Sequence, residues 1–487
     1  AAPKGELLAD QMVMARIARF GAIVIPIGLA ASTSASALGS MLVAPRTLQA
    51  IARDKTFPFR KMNILLARGK GENKEPFNAS LLSFAIAFVV ILLGDVNSVA
   101  QVISMFFLIT YGTLCLCSFL NHFGSPPSYR PKFRSKWFIS LFGFVMSVWV
   151  MFMISPLYTV LSYIFIALLY LLIAHYNKDK TGIENIFRGA LFQLNRQIQV
   201  YMQKHQSSMD KEEWRPAVVC ISSHSFDREK VLELMKWISY QHGFGTYFHF
   251  IQAYYNAQTH AECKDILARL VDSQKEKGST LYLDTMISPS YTSAIAQIIQ
   301  TPSISGMENN MVLFEYDKHN PEELQRILEN VTLVKSGGFD VGIFAGSDKP
   351  LDSGEGIHVW IHDADDKNTN FMILLGYIIL AHPHWKKSHI KIFIASPRGG
   401  SQAVENELHE RITAGRLPIT LTNIEIVTPS EGQTFSQMAE EHSSGAALTI
   451  IGFDDEIAEH AAHAYFSLFD SIGDILFVNA SEPKEIT

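Results

Sequence analysis

The chain has 487 residues and a formal net charge of −6, and it is too long for one ordinary core because domains usually hold about 100 to 200 residues. Residues 1 to 175 hold 15 of the 41 Lys and Arg residues but only 6 of the 47 Asp and Glu residues, so a basic, apolar front precedes an acidic back. The four cysteines have no C-x-x-C spacing, which excludes a disulfide framework and a cysteine-based metal site, and we expect no nucleic-acid partner.

Five apolar stretches predict membrane-spanning helices. Each approaches the roughly 20 residues that cross the hydrocarbon layer as a helix. They lie at about residues 20–44, 78–94, 98–121, 137–155 and 157–175. The alternative is that some of them are buried helices of a soluble protein. The last two stretches contain no Asp, Glu, Lys or Arg, which favours a membrane.

Basic residues between the stretches predict the orientation. Lys and Arg cluster at residues 46–74, at 130–136 and at 178–180, and such clusters stay on the cytoplasmic side. We therefore expect a multi-pass protein of the cell membrane whose C-terminal region is cytoplasmic. An odd number of spans then places the N-terminus outside, so we also expect earlier spans ahead of residue 1 in the full protein.

The first stretch carries hydroxyl groups on one helix face. Ser32, Ser36 and Ser40 recur every four residues, with Ala35 beside them. Small residues in a membrane helix allow close packing against another helix, whereas hydroxyl and backbone oxygens can bind a hard cation. The spacing alone favours packing, and both interpretations stay open at this point.

Tyr111 is a second polar group inside an apolar stretch. A phenol in the membrane needs a hydrogen-bond partner, and its O–H group can donate to an anion. From the sequence alone, a hydrogen bond between helices is the commoner use.

The back of the chain alternates apolar strand-like runs with helical segments, which predicts mostly parallel sheets. We expect a transmembrane region at 1–176, a linker helix at 177–213, and two similar α/β lobes at 214–352 and 353–487. The predicted strands begin near residues 217, 246, 280, 311 and 341 in the first lobe, and near residues 358, 390, 424, 448 and 475 in the second.

No catalytic motif emerges from these lobes. The turn of Arg398, Gly399, Gly400 and Ser401 follows a predicted strand and could approach a phosphate. It matches neither G-x-G-x-x-G nor the P-loop, which favours an ordinary strand-to-helix turn. The acidic residues 363–366 read as a helix N-cap cluster. We therefore predict a protein that is not an enzyme, without a cofactor, with ATP as a regulatory ligand of the lobes.

Several segments resemble the cation-chloride cotransporter family, and they extend over nearly the whole chain. They are SALGS at 36–40, APR at 44–46, LQAIARDK at 48–55, NKEP at 73–76, ISMFFL at 103–108, YRPKFR at 129–134, WRP at 214–216, VWIHD at 359–363 and WKKSHIKIF at 385–393. The resemblance implies the twelve-span inverted-repeat fold of the amino-acid/polyamine/cation superfamily, with these five spans as the eighth to the twelfth. It also implies a cytosolic pair of lobes, similar to universal-stress-type units, for dimerisation and regulation.

The resemblance also assigns roles to single residues. Tyr111 matches a tyrosine that helps to bind chloride, and Ser32, Ala35 and Ser36 match positions of a sodium site. Sodium-coupled members have two adjacent serines where this chain has Ala35 and Ser36, so one hydroxyl ligand is lost.

The function that follows is symport of chloride with potassium, sodium or both. An amino-acid permease of the same fold is the first alternative, and a nucleotide-binding sensor role of the lobes is the second. We expect the lipid bilayer as the environment and a homodimer that forms through the cytosolic region, with the last spans close to the two-fold axis.

Overall fold

The structure, a computed structural model, describes most of the chain. The described residues are 15, 18–71, 74–92, 96–124, 130, 132, 135–176, 182–209, 214–349, 356–362, 366–395, 423–457 and 462–484. The chain divides into two compact units, residues 1–196 and 197–487, and each unit is described by itself below.

Long apolar helices form the first unit, in agreement with the predicted spans. The helices are α1 (Gly21–Arg53), α2 (Arg60–Ala67), α3 (Phe77–Leu92), α4 (Val96–Gly124), α5 (Trp137–Ile154), α6 (Pro156–Tyr176) and α7 (Gly182–Met209), which runs across the division between the units. Among the described residues, α1, α4, α5 and α6 are long and apolar enough to cross a membrane. The predicted span at 78–94 corresponds to α3, which is apolar but has only 16 residues.

The basic segment after α1 folds back onto that helix. Gln49 of α1 is buried and donates from Nε2 to the carbonyls of Ala67 and Lys74, at 3.4 and 3.3 Å. Asn63 of α2 donates from Nδ2 to the carbonyl of Phe57 over 2.7 Å and so closes the turn between the two helices. This basic segment is therefore an ordered part of the unit.

Small side chains allow α4 and α5 to approach closely. A Cβ atom added to Gly112 of α4 would lie 3.2 Å from Cβ of Ser147, and one added to Gly143 of α5 would lie 3.0 Å from Sγ of Cys115. Such contacts stabilise helix pairs in lipid, where no hydrophobic force drives helices together.

One sheet of ten described strands organises the second unit. The strands are β1 (Ala217–Ser222), β2 (Phe244–Gln252), β3 (Tyr282–Ser288), β4 (Met311–Asp317), β5 (Asp340–Gly346), β6 (Ile357–His362), β7 (Ile390–Ala395), β8 (Ile424–Val427), β9 (Leu448–Gly452) and β10 (Ile475–Asn479). The helices between them are α8 (Lys230–Ser239), α9 (Ala257–Glu276), α10 (Tyr291–Ile299), α11 (Pro321–Ser336), α12 (Asp366–Leu380), α13 (Phe435–Ser443) and α14 (Ala462–Phe466). Each predicted strand has a counterpart in this set.

The strand order reveals a repeated topology. The sheet runs β3-β2-β1-β4-β5-β10-β9-β6-β7-β8, so strands one to five and strands six to ten have the same internal order. Within each half the pairs are parallel, and the halves meet through the antiparallel pair of β5 and β10. The prediction of two similar α/β lobes is thus confirmed, and the two lobes form one continuous sheet.

Apolar burial explains why the lobes join. Ile343 of β5 faces Phe477 of β10 across the antiparallel ladder, and both side chains are fully buried. An open β5 edge would expose unpaired backbone groups and these apolar side chains, so the pairing removes two sheet edges at once.

Candidate functional site

The first candidate residues lie on α1. Ser32, Ala35 and Ser36 are all on this helix, and their side chains are exposed in the described part of the chain. At Gly39, one turn further, an added Cβ atom would have no described atom within 4 Å. Close packing of this face against another described helix is therefore not observed, and the face remains available for a ligand or for a helix outside the described residues.

Tyr111 lies on α4 and is 60% exposed. Its ring stacks on Phe107, with 6.4 Å between the ring centroids, while the neighbouring Gly112 packs against Ser147 of α5. The phenol has no hydrogen-bond partner among the described residues. A free O–H donor in an apolar helix is the group that an anion site requires.

The structure does not join these two groups of residues. No hydrogen bond connects Tyr111 to Ser32 or Ser36 in the part of the chain that is described. The two groups of residues therefore lie on separate helices, α1 and α4. The turn of Arg398, Gly399, Gly400 and Ser401 lies outside the described residues.

The histidines that follow α12 have structural contacts. His382 accepts from the backbone N–H of His384 over 3.2 Å at the start of a short 3-10 turn, and the His384 ring stacks on Trp237 with 5.3 Å between centroids. These two histidines therefore serve the turn that follows α12 and the packing against Trp237.

A crevice of about 110 Å³ opens at the carboxyl ends of the strands of the first lobe. It lies where the strand order reverses, between β1 and β4, and α/β sheets bind their ligands at such a point. The lining residues are Ile221, Ser222, Ser223, His224, Arg228, Phe250, Gln252, Tyr291, Glu315, Glu323, Arg326 and Ile327.

One side of the crevice is held by an ion pair. The Arg228 guanidinium donates to both carboxylate oxygens of Glu323, from Nη1 over 2.6 Å and from Nη2 over 2.8 Å. The backbone N–H of Asp317 donates to Glu323 over 3.3 Å. Burial opposes ionisation of Glu323, but Arg228 and the backbone bond outweigh it and lower the pKa of this carboxyl. The pair fixes the segment between β1 and α8 to the start of α11.

Glu315 of β4 behaves in the opposite way. Its residue exposure is 7%, and its Oε1 atom has no hydrogen-bond partner among the described residues. Burial raises the pKa of Glu315 to about 7, although Ser222 and Arg228 oppose the shift. Sequence analysis missed this residue, and the signal available there was one carboxyl inside the otherwise apolar run of β4.

Comparison with known proteins finds a family model that matches the N-terminal part of the chain. Residues 9–199 match the family model described as amino acid permease. Together with the long apolar helices, this match supports a membrane transporter.

Solved structures resemble the back of the chain. The crystal structure of the cytoplasmic domain of a prokaryotic cation chloride cotransporter is 14% identical, with a TM-score of 0.41, and the match covers 56% of this chain and 98% of that one. A protein of unknown function from Pseudomonas aeruginosa is 13% identical with a TM-score of 0.37, covering 57% and 93%. A protein described as a universal stress protein of the same species is 14% identical with a TM-score of 0.36, covering 57% and 94%.

Proposed function

We propose that this protein, whose residues 9–199 match the amino acid permease model, is a transporter that couples chloride to a monovalent cation. The observation that carries the proposal is Tyr111, a phenol without a described partner on an apolar helix, which follows closely on the ISMFFL segment that resembles the cotransporters. A hydroxyl donor in a low-dielectric site binds chloride without adding a charge. Neutral donors of this kind permit symport of an anion and a cation together.

Cation selectivity follows from the hydroxyl face of α1. Ser32 and Ser36 supply oxygen atoms, and Ala35 removes one ligand relative to a pair of adjacent serines. Hard cations such as sodium need several oxygen ligands, so the loss of one weakens the site. We therefore favour sodium-independent transport of potassium with chloride.

Uptake into proteoliposomes tests the substrate class. The full-length protein is reconstituted, and uptake of radioactive chloride is compared with uptake of a mixture of radioactive amino acids. Chloride uptake without amino-acid uptake supports the proposal. Amino-acid uptake that does not depend on chloride supports the alternative, an amino-acid permease, which is the description of the matching family model.

The α/β unit is proposed to be cytoplasmic and to mediate dimerisation. Support comes from α7, where apolar side chains recur at alternating spacings of four and three residues. They are Phe187, Leu191, Leu194, Ile198 and Tyr201, all exposed in the described chain. This heptad spacing is typical of a helix that packs against a partner helix. A second copy of the chain presents the same seam and so fits it.

A nucleotide-sensing role of the α/β unit is the remaining candidate. The crevice at the switch point between β1 and β4 favours it, and ATP is the proposed regulatory ligand. Calorimetric titration of ATP into the purified compact unit, residues 197–487, tests this role. Heat changes that saturate would support it, and their absence at millimolar ATP would exclude it.

A further inference from the structure

The crevice of the first lobe contains a carboxyl group that the fold does not require. Glu315 pairs with Phe344, which lies four residues after Asp340, and Gly452 pairs with Val478, which lies four residues after Asp474. By the repeated topology, Gly452 is therefore the counterpart of Glu315 in the second lobe. Because the second lobe forms its sheet with glycine at this position, the carboxyl of the first lobe points to a use other than folding.

The cation beside Glu315 is already paired. Both Nη groups of Arg228 donate to Glu323, and the Nε2 atom of His224 lies 3.4 Å from the same Glu323 carboxylate. Glu323 is a second acidic group that repels an ionised Glu315. The buried carboxyl therefore lacks a cation of its own, which is costly for the charged form.

Among the titratable neighbours of Glu315, no arginine is both close to it and free of another carboxylate. The groups that face or line this position from each surrounding element are Cys220 of β1, His224 and Arg228 after β1, Tyr247 of β2, Tyr291 of α10, and Glu323 and Arg326 of α11. Burial raises the pKa of Cys220 and of Tyr247 well above their usual values, so both stay neutral at the pH of a cell. Arg326 is exposed at the rim.

We propose that the crevice is a proton-binding site, in which Glu315 takes up a proton at neutral to mildly acidic pH and releases it as the pH rises. The Oε1 atom is buried and has no described hydrogen-bond partner, so it can take the proton without breaking a described hydrogen bond. Burial sets the affinity for the proton, since it places the pKa of this carboxyl at about 7.

Protonation of Glu315 changes its attraction to the neighbouring groups of the crevice. An ionised Glu315 attracts the Ser222 hydroxyl and the Arg228 guanidinium, whereas a neutral Glu315 no longer attracts Arg228. Both partners border the segment that joins β1 to α8. The pH around the α/β unit therefore changes how this segment is held.

Infrared spectroscopy of the full-length protein in detergent tests the site directly. A protonated carboxylic acid has its own C=O band, distinct from the carboxylate bands. We expect this band to grow as the pH is lowered from about 8 to about 6, with a midpoint near 7. The band is expected to be absent in Glu315→Gln and unchanged in Glu322→Gln, a control at an exposed carboxyl of the same region.

Each result of the infrared measurement either supports or overturns the proposal. No carboxylic acid band between these pH values in the unmodified protein overturns the proposal, whatever the variants do. The same band in Glu315→Gln assigns it to another residue and also overturns it. Should Glu315→Gln misfold, Ser222→Ala replaces it, because loss of this hydroxyl is expected to raise the midpoint of the band, and an unchanged midpoint would overturn the proposal. None of these readings depends on transport, so they stand or fall separately from the proposed symport.

Discussion

Asp340 and Asp474 hold the two lobes together in a reciprocal arrangement. Asp340 begins β5 and accepts from the backbone N–H and the hydroxyl of Ser481, which follows β10, at 2.7 and 2.9 Å. Asp474 precedes β10 and accepts from the same two groups of Ser347, which follows β5, at 2.6 and 2.9 Å. Each carboxylate also has a lysine partner: Lys484 Nζ lies 2.9 Å from Asp340, and Lys230 Nζ lies 2.8 Å from Asp474.

We predict that Asp340→Ala strongly destabilises the α/β unit. Asp340 is fully buried and Lys484 is nearly so, and removal of one partner leaves the buried ammonium without a counter-charge, at a cost of about 3 to 5 kcal/mol. The measurement is the midpoint of thermal unfolding of the full-length protein. Asp348→Ala serves as the control because the Asp348 side chain is 91% exposed.

The double variant Asp340→Ala/Lys484→Met checks the reason for that loss. It removes both charges, so we expect it to unfold at a higher temperature than Asp340→Ala alone. Equal midpoints for the single and the double variant would show that the unpaired lysine is not the cause.

The α7 seam predicts an effect on assembly. Replacement of Leu194 and Ile198 by Glu places charges on the proposed helix-helix contact, and we expect the homodimer to dissociate into monomers, because a buried charge without a partner is costly. Light scattering of the detergent-solubilised full-length protein measures the mass. Asn195→Glu adds a charge at an exposed position off the seam, and it should leave the mass unchanged. A monomeric parent protein would contradict the dimer itself.

Sodium dependence tests the hydroxyl face of α1. We expect chloride uptake by the parent protein to change little as external sodium is varied at fixed potassium, and we expect Ala35→Ser to gain sodium dependence because it restores a hydroxyl ligand. Ala37→Ser adds a hydroxyl two residues away, on another side of the helix, and is the matched control. Strong sodium dependence of the parent would mean that Ser32, Ser36 and backbone carbonyls suffice.

Tyr111→Phe removes the proposed hydrogen bond to chloride. Loss of one hydroxyl donor from an anion site costs about 1 to 3 kcal/mol, which corresponds to a rise of roughly fivefold to a hundredfold in the half-saturating chloride concentration. The chloride dependence of uptake measures this rise at equal expression. Tyr170→Phe, at a half-exposed tyrosine of α6, controls for loss of a membrane phenol, and an identical chloride curve in Tyr111→Phe would make Tyr111 a packing residue.

The sequence predicts which helices and strands form better than it predicts which strands pair with each other. The apolar runs of α4, α5 and α6 and the strand-like runs of the back contain their own signals, namely length, the absence of charge and flanking polar turns. The pairing of β5 with β10 has no such signal, because both strands are buried on both faces and either could pair with several others. The bond from Ser481 to Asp340 joins residues 141 positions apart.

The sequence also marks some residues of the candidate sites and not others. Tyr111, Ser32 and Ser36 stand out as polar groups in apolar runs, so their residue types and spacing mark them. Glu315 is marked in the sequence only as one carboxyl within a strand, and the sequence does not show that it is buried. Its raised pKa comes chiefly from burial, to which Glu323 adds while Ser222 and Arg228 oppose it, and only the fold creates this environment.

Coupling between chloride and potassium is the central claim, and ion-driven accumulation tests it most directly. Proteoliposomes that contain the full-length protein are given an inward chloride gradient, with the membrane voltage held at zero, and uptake of radioactive rubidium is followed as a substitute for potassium. We predict that rubidium accumulates above its equilibrium level, and that it does so only while the chloride gradient lasts. Rubidium uptake that does not depend on the chloride gradient would contradict the proposed symport. So would the absence of rubidium uptake in proteoliposomes that take up amino acids.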